Sequence, residues 1–113
     1  MNQQDLSLVF FGSRHALAIA AAIAESEDGR FTIPDVARAV SLPTSTIHAL
    51  LKQLGTAQLV RRRKRETMPG TRIAVYERAE HPIWAFAIEL HAEAQARAEG
   101  TFNPAWATEV LHD

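Results

Sequence analysis

Between Thr32 and Arg65 a short amphipathic helix, a tight turn, a second helix led by hydroxyl residues and five consecutive cations follow one another almost without spacers. Pro34 suits the first turn of a helix, where its missing amide would be unpaired anyway, with Thr32 or Ile33 left outside. Val36, Ala37 and Val40 then form the buried face of that helix, which ends near Ser41, and Ser41-Leu42-Pro43 makes the turn. From Thr44 to Leu54 the spacing places Ile47, Leu50, Leu51 and Leu54 on one stripe. The opposite face carries Thr44, Ser45, His48, Ala49 and Lys52. A helix of about 11 residues is roughly 16 Å long, enough to lie in a DNA major groove roughly 12 Å wide.

The chain has 113 residues, 47% of them hydrophobic and 22% charged, which suits one globular domain spanning 1–113 with no disordered segment. It contains no cysteine, so disulfides, zinc-thiolate clusters and thiol nucleophiles are excluded. No uninterrupted apolar span of 18 or more residues and no basic leader ahead of the first apolar run are found, so a soluble, cytoplasmic protein is expected. The net charge of −1 hides a strong asymmetry. Lys52, Arg61, Arg62, Arg63, Lys64, Arg65 and Arg72 face only Glu66 between positions 52 and 72, leaving this segment at +6 and the remainder at −7. A domain polarised in this way orients itself in the field of a polyanion.

Around this centre, Ser13 and the run Ala16, Leu17, Ala20, Ala21, Ile23, Ala24 predict a helix from about Arg14 to Ser26. Glu27-Asp28-Gly29-Arg30 is turn chemistry and Phe31-Thr32-Ile33 a short extended piece. Gly55 is expected to end the second helix of the pair. Gln58-Leu59-Val60 starts a strand, Met68-Pro69-Gly70-Thr71 suits a type II turn, and Arg72 to Tyr76 returns with β-branched residues at period two. Pro82 opens a long helix with the stripe Ile83, Ala87, Leu90, Ala94, broadened by Trp84, Phe86 and Ile88. Gly100 ends it, and Ala105 to Leu111 predict a short terminal helix.

The segment TIPDVARAVSLPTSTIHALLKQLGTAQLVRRR resembles the winged helix-turn-helix of bacterial one-domain transcription regulators of the ArsR, MarR and IclR-like groups. The resemblance covers about Phe11 to Tyr76. Leu42-Pro43-Thr44-Ser45-Thr46-Ile47-His48 with Leu50-Leu51 is similar to the start of the IclR-like recognition helix, whereas FGSRHALAI is similar to the first helix of ArsR-like regulators. The resemblance implies a mainly α, α+β fold with a small β-hairpin wing and a long C-terminal dimerisation helix. The thiol metal sites of ArsR-like sensors are impossible here, and no separate ligand domain like that of full-length IclR-like proteins is expected.

These readings give a DNA-binding core at 14–78, with dimerisation elements at 1–13 and 81–111. Thr44, Ser45, Thr46, His48 and Lys52 on the second helix, and Arg61, Arg62, Arg63, Lys64, Arg65 and Arg72 on the 59–76 wing, are the candidate contacts to double-stranded DNA. Short hydroxyl residues at a helix start also serve as caps, and Thr46 is as well suited to packing as to contact. Alternation along a strand lets about three of the five consecutive cations face DNA. If about four phosphates are neutralised, log K falls with log salt at a slope near −3.6, about −0.9 per contact.

Leu8, Phe10, Phe11, Ile83, Trp84, Ala87, Ile88, Leu90 and His91 are the candidate residues of a twofold homodimer interface. A stripe of this kind also serves to cover a chain's own core. His81, Glu89, His91, Glu93 and His112 could ligate a metal by residue type. His91 and Glu89 are two apart and point in different directions, and no HxxxH pair places two imidazoles on one helix face, so neither metal nor cofactor is expected. No nucleophile-base pair or phosphate-cradling loop indicates an enzyme, and nothing indicates a small-molecule effector. The expected function is sequence-specific transcription regulation by a homodimeric repressor on an inverted-repeat operator. The alternative is a winged-helix plasmid maintenance or replication accessory factor, or a protein-docking adaptor.

Overall fold

The computed structural model describes Gly12, Ser13 and residues 15–102, with the backbone alone for 64–66. The predicted interface residues Leu8, Phe10 and Phe11, the terminal helix at 105–111 and His112 lie outside the described residues.

Helix α1 (Ala16–Ala24) is built from Ala, Leu and Ile alone, and seven of its nine residues are buried. A helix that is apolar all round has to be surrounded, and α1 occupies the centre of the molecule. It begins later than Ser13 and Arg14 suggested. Ser13 Oγ accepts from the His15 amide, and His15 takes the cap position without a side-chain cap. A 3-10 turn, Glu27–Gly29, leads into the two-residue strand β1 (Arg30–Phe31).

Thr32 stops that strand. Its Oγ1 accepts from the Asp35 amide at 3.2 Å, so the next helix starts at Ile33 and the extended piece is shorter than expected. Helix α2 (Ile33–Val40) ends on Ser41 in the left-handed conformation, φ 56°. After Leu42-Pro43 comes α3 (Thr44–Thr56), 13 residues and about 20 Å long. Gly55 does not end it. The left-handed residue that does is Gln58, φ 61°, whose amide bonds to the Gly55 carbonyl at 3.0 Å while Leu59 bonds back to Leu54 at 2.9 Å. Gly55 stays helical and lies close to the Val60 carbonyl, where a Cβ would meet it at 3.9 Å.

Strands β2 (Val60–Thr67) and β3 (Ala74–Arg78) form an antiparallel hairpin, and β1 joins on the far side of β3 to give the order β1-β3-β2. Its turn is the predicted Pro-Gly turn. Gly70 has φ 75°, and the Thr71 amide bonds to the Met68 carbonyl at 3.1 Å. Helix α4 (Pro82–Ala98) is capped by His81, whose Nδ1 accepts from the Ile83 amide at 3.1 Å. Trp84 fixes its first turn to the sheet end, Nε1 donating to the Ala79 carbonyl at 2.7 Å. Among the described residues no helix is long and apolar enough to cross a membrane.

One cluster joins Ile19, Ile23, Phe31, Val36, Ile47, Leu51, Val60 and Trp84, locking α2 and α3 onto α1 and the hairpin base. Leu17, Leu90 and Ala94 make a second cluster between α1 and α4. Ile47 is fully buried, so the inner stripe of α3 holds the helix and its polar face is left outward.

Candidate nucleic-acid interface

Thr44, Ser45 and His48 are exposed at the start of α3, and Lys52 continues their side one turn on. Thr46 is half-buried, and its amide bonds to the Pro43 carbonyl at 3.1 Å. No side chain caps this helix start. Thr44, Ser45 and His48 form one wall of an open groove of about 500 Å³ whose other walls are Ile33 and Pro34 of α2 and Ile73, Ala74 and Tyr76 of the returning strand. The groove joins the outer end of α3 to the hairpin base. Tyr76 is held by stacking on Phe31, ring centroids 5.9 Å apart.

The hairpin register decides where the cations go. Val60 pairs with Arg78, Arg61 with Glu77 and Arg62 with Tyr76. Opposed residues share a face of the sheet and neighbours alternate, so exposed Arg62 lies on the groove face with Tyr76. Arg61 and Glu77 lie on the other face. There Glu77 accepts hydrogen bonds from Arg61 Nε on one carboxylate oxygen and from an Arg63 terminal nitrogen on the other, the latter at 2.7 Å. The bonds from Arg61, then Arg63, hold the Glu77 carboxyl below its ordinary 4.5 against a smaller opposing effect of desolvation. Regular alternation along β2 stops after Arg62, because the register shifts between Arg62 and Thr67. Arg72 is exposed beside the turn.

No model of a known protein family matches the chain, and no curated protein matches its sequence. Among solved structures the chain is similar to AbsC, a MarR family transcriptional regulator from Streptomyces coelicolor. The TM-score is 0.64 at 21% identity, over 96% of this chain and 74% of that one. The fold is a winged helix-turn-helix. Helices α2 and α3 are its helix-turn-helix, and β2-β3 is the wing.

The expected cations of the wing divide between its two faces. Arg61 and Arg63 are bound to Glu77 on the wing face turned from the groove, so they do not line up with Thr44, Ser45 and His48. The side chains of Lys64 and Arg65 lie outside the described residues. Of the wing cations placed by the structure, Arg62 shares the groove face and Arg72 lies beside the tip.

The expected interface residues of α4 differ in how much of each the chain itself covers. Trp84, Ala87 and Leu90 are buried within the chain, with Ala87 fully covered, and have little area left for a partner. Leu90 is spent on Leu17, and Trp84 and Ala87 on the main core. Ile83 and Ile88 are half-buried against that core, while Phe86, between them in sequence, is 41% exposed. His91 lines a recess with Ala18, Ala22, Ala39 and Gln95 between α1, α2 and α4. Among the described residues no three His, Asp or Glu side chains gather as a metal would require.

Glu77 and the groove residues Ile73, Ala74 and Tyr76 were not among the sequence candidates. Counting back from the Pro69-Gly70 turn does not find the pairing of Tyr76 with Arg62, because the register shifts between Arg62 and Thr67.

Proposed function

We propose that the chain is a sequence-specific DNA-binding transcription regulator that places the start of α3 in a major groove and its wing along the adjoining backbone. The observation that carries this reading is the groove. An exposed, hydroxyl-led and uncapped helix start stands opposite the wing base, with Arg62 on the same face. Exposed side chains at the front of a helix reach base edges, and cations beside it take phosphates. Thr44, Ser45 and His48 are the base-reading candidates, with Lys52, Arg62 and Arg72 as phosphate contacts.

The finer reading is a homodimeric repressor on an inverted repeat, acting by occupying its operator, with the cytoplasm as its compartment. It is supported by the overlap with a MarR family regulator and by Phe86, a large apolar side chain that α4 leaves 41% exposed.

Selection from random-sequence duplex DNA tests the proposal, using the wild type and a Thr44→Ala/Ser45→Ala/His48→Ala variant. The wild type enriches a common motif and the variant loses it while still binding DNA weakly. Enrichment of the same motif by both would remove α3 as the reading element, and no enrichment by the wild type would remove sequence-specific regulation.

A further inference from the structure

Glu77 stands on the central strand β3, opposed by Arg30 on β1 and Arg61 on β2. Its two oxygens are divided between Arg61 and Arg63. The acid is the fixed partner: its side chain is 19% exposed, against 81% for Arg61 and 32% for Arg63. β2 is one of the two edge strands of the sheet. A long guanidinium released on an edge strand can therefore swing toward either face, including the one that carries the groove. While the carboxylate is present, two of the five consecutive cations are held on the opposite face and half their joint charge is cancelled.

Binding of DNA without regard to sequence grows with the number of phosphates a protein neutralises. Selectivity is the ratio of specific to non-specific affinity, so cations beyond those that position the protein lower it. The geometry points to Glu77 as a specificity-determining residue: by clasping Arg61 and Arg63 it keeps them from phosphates and holds sequence-independent binding down, leaving the base-facing end of α3 untouched. This rests on the DNA-binding reading above.

The test measures binding to the selected duplex and to a scrambled duplex of equal length, between about 50 and 200 mM salt. Four proteins are compared: wild type, Glu77→Gln, Glu80→Gln, and Glu77→Gln combined with Arg61→Ala/Arg63→Ala. Glu80 is an exposed acid outside the clasp, so it controls for net charge alone.

Glu77→Gln binds the scrambled duplex several-fold more tightly, with a salt slope steeper by about 0.9 to 1.8 for one or two added phosphate contacts. Its preference for the selected duplex shrinks, Glu80→Gln behaves as wild type, and removal of both arginines cancels the gain. Should Glu77→Gln fold poorly, Arg61→Ala/Arg63→Ala in the wild-type background decides. Withheld cations cost little when removed, so near-wild-type scrambled binding supports the role and a tenfold or greater loss overturns it. A Glu77→Gln protein that matches Glu80→Gln also overturns it, with DNA binding by the wild type left standing. A wild type that binds neither duplex overturns the DNA reading itself.

Discussion

Glu77 illustrates how one side chain redirects a charge pattern. Five adjacent cations suggest a uniformly basic strand, yet the residue opposite Arg61 is an acid that takes two of them. The cation run was legible from its composition; its partner was not, because cross-strand neighbours depend on a register set by the turn and broken after Arg62. A carboxyl held below 4.5 by its arginines stabilises the fold above that pH and loses the contribution as pH falls through its lowered folded value. The gap in urea midpoint between wild type and Glu77→Gln is therefore full at neutral pH and closes on acidification. A gap unchanged from pH 7 to 3 would show that the pairing adds nothing. Thr32 acts at the same scale by capping α2 from a buried position, and Thr32→Ala lowers stability in urea by about 1 kcal/mol.

At the scale of elements, helices and hairpin follow from periodicity and turn chemistry, and the misplacements fall at their ends. The Pro69-Gly70 turn was legible because proline and a left-handed glycine specify it locally. The end of α3 was not, because Gly55 remains helical beside the Val60 carbonyl and Gln58, a residue with no special liking for positive φ, closes the helix instead. A non-glycine residue in that conformation is strained by about 1 to 2 kcal/mol. Gln58 is exposed, so Gln58→Gly relieves the strain at little other cost. The expected gain is about 1 kcal/mol, read from the urea midpoint; a loss would mean the Gln58 side chain holds the α3-β2 junction.

Across the whole molecule, α1 is the hub against which the helix-turn-helix, the sheet base and α4 are assembled. Ile47 links that hub to α3 from a fully buried position, and Ile47→Ala is expected to cost about 2 to 5 kcal/mol. The α4 stripe marked a buried face correctly as a pattern, but periodicity does not say what buries it. For Trp84, Ala87 and Leu90 the answer is the chain's own core. Phe86 is the residue to vary for the homodimer we propose: Phe86→Asp halves the mass found by light scattering if α4 carries the interface, and leaves it unchanged if the pairing surface lies elsewhere.

Whether DNA docks on the face shared by the start of α3 and the wing base is decided by titrating the isotope-labelled protein with its selected duplex and following backbone amide shifts. The expected changes are concentrated at Thr44 to Lys52, at Arg62, and from Gly70 to Tyr76. Changes centred on α1 or α4, with Thr44, Ser45 and His48 unmoved, would contradict docking on that face.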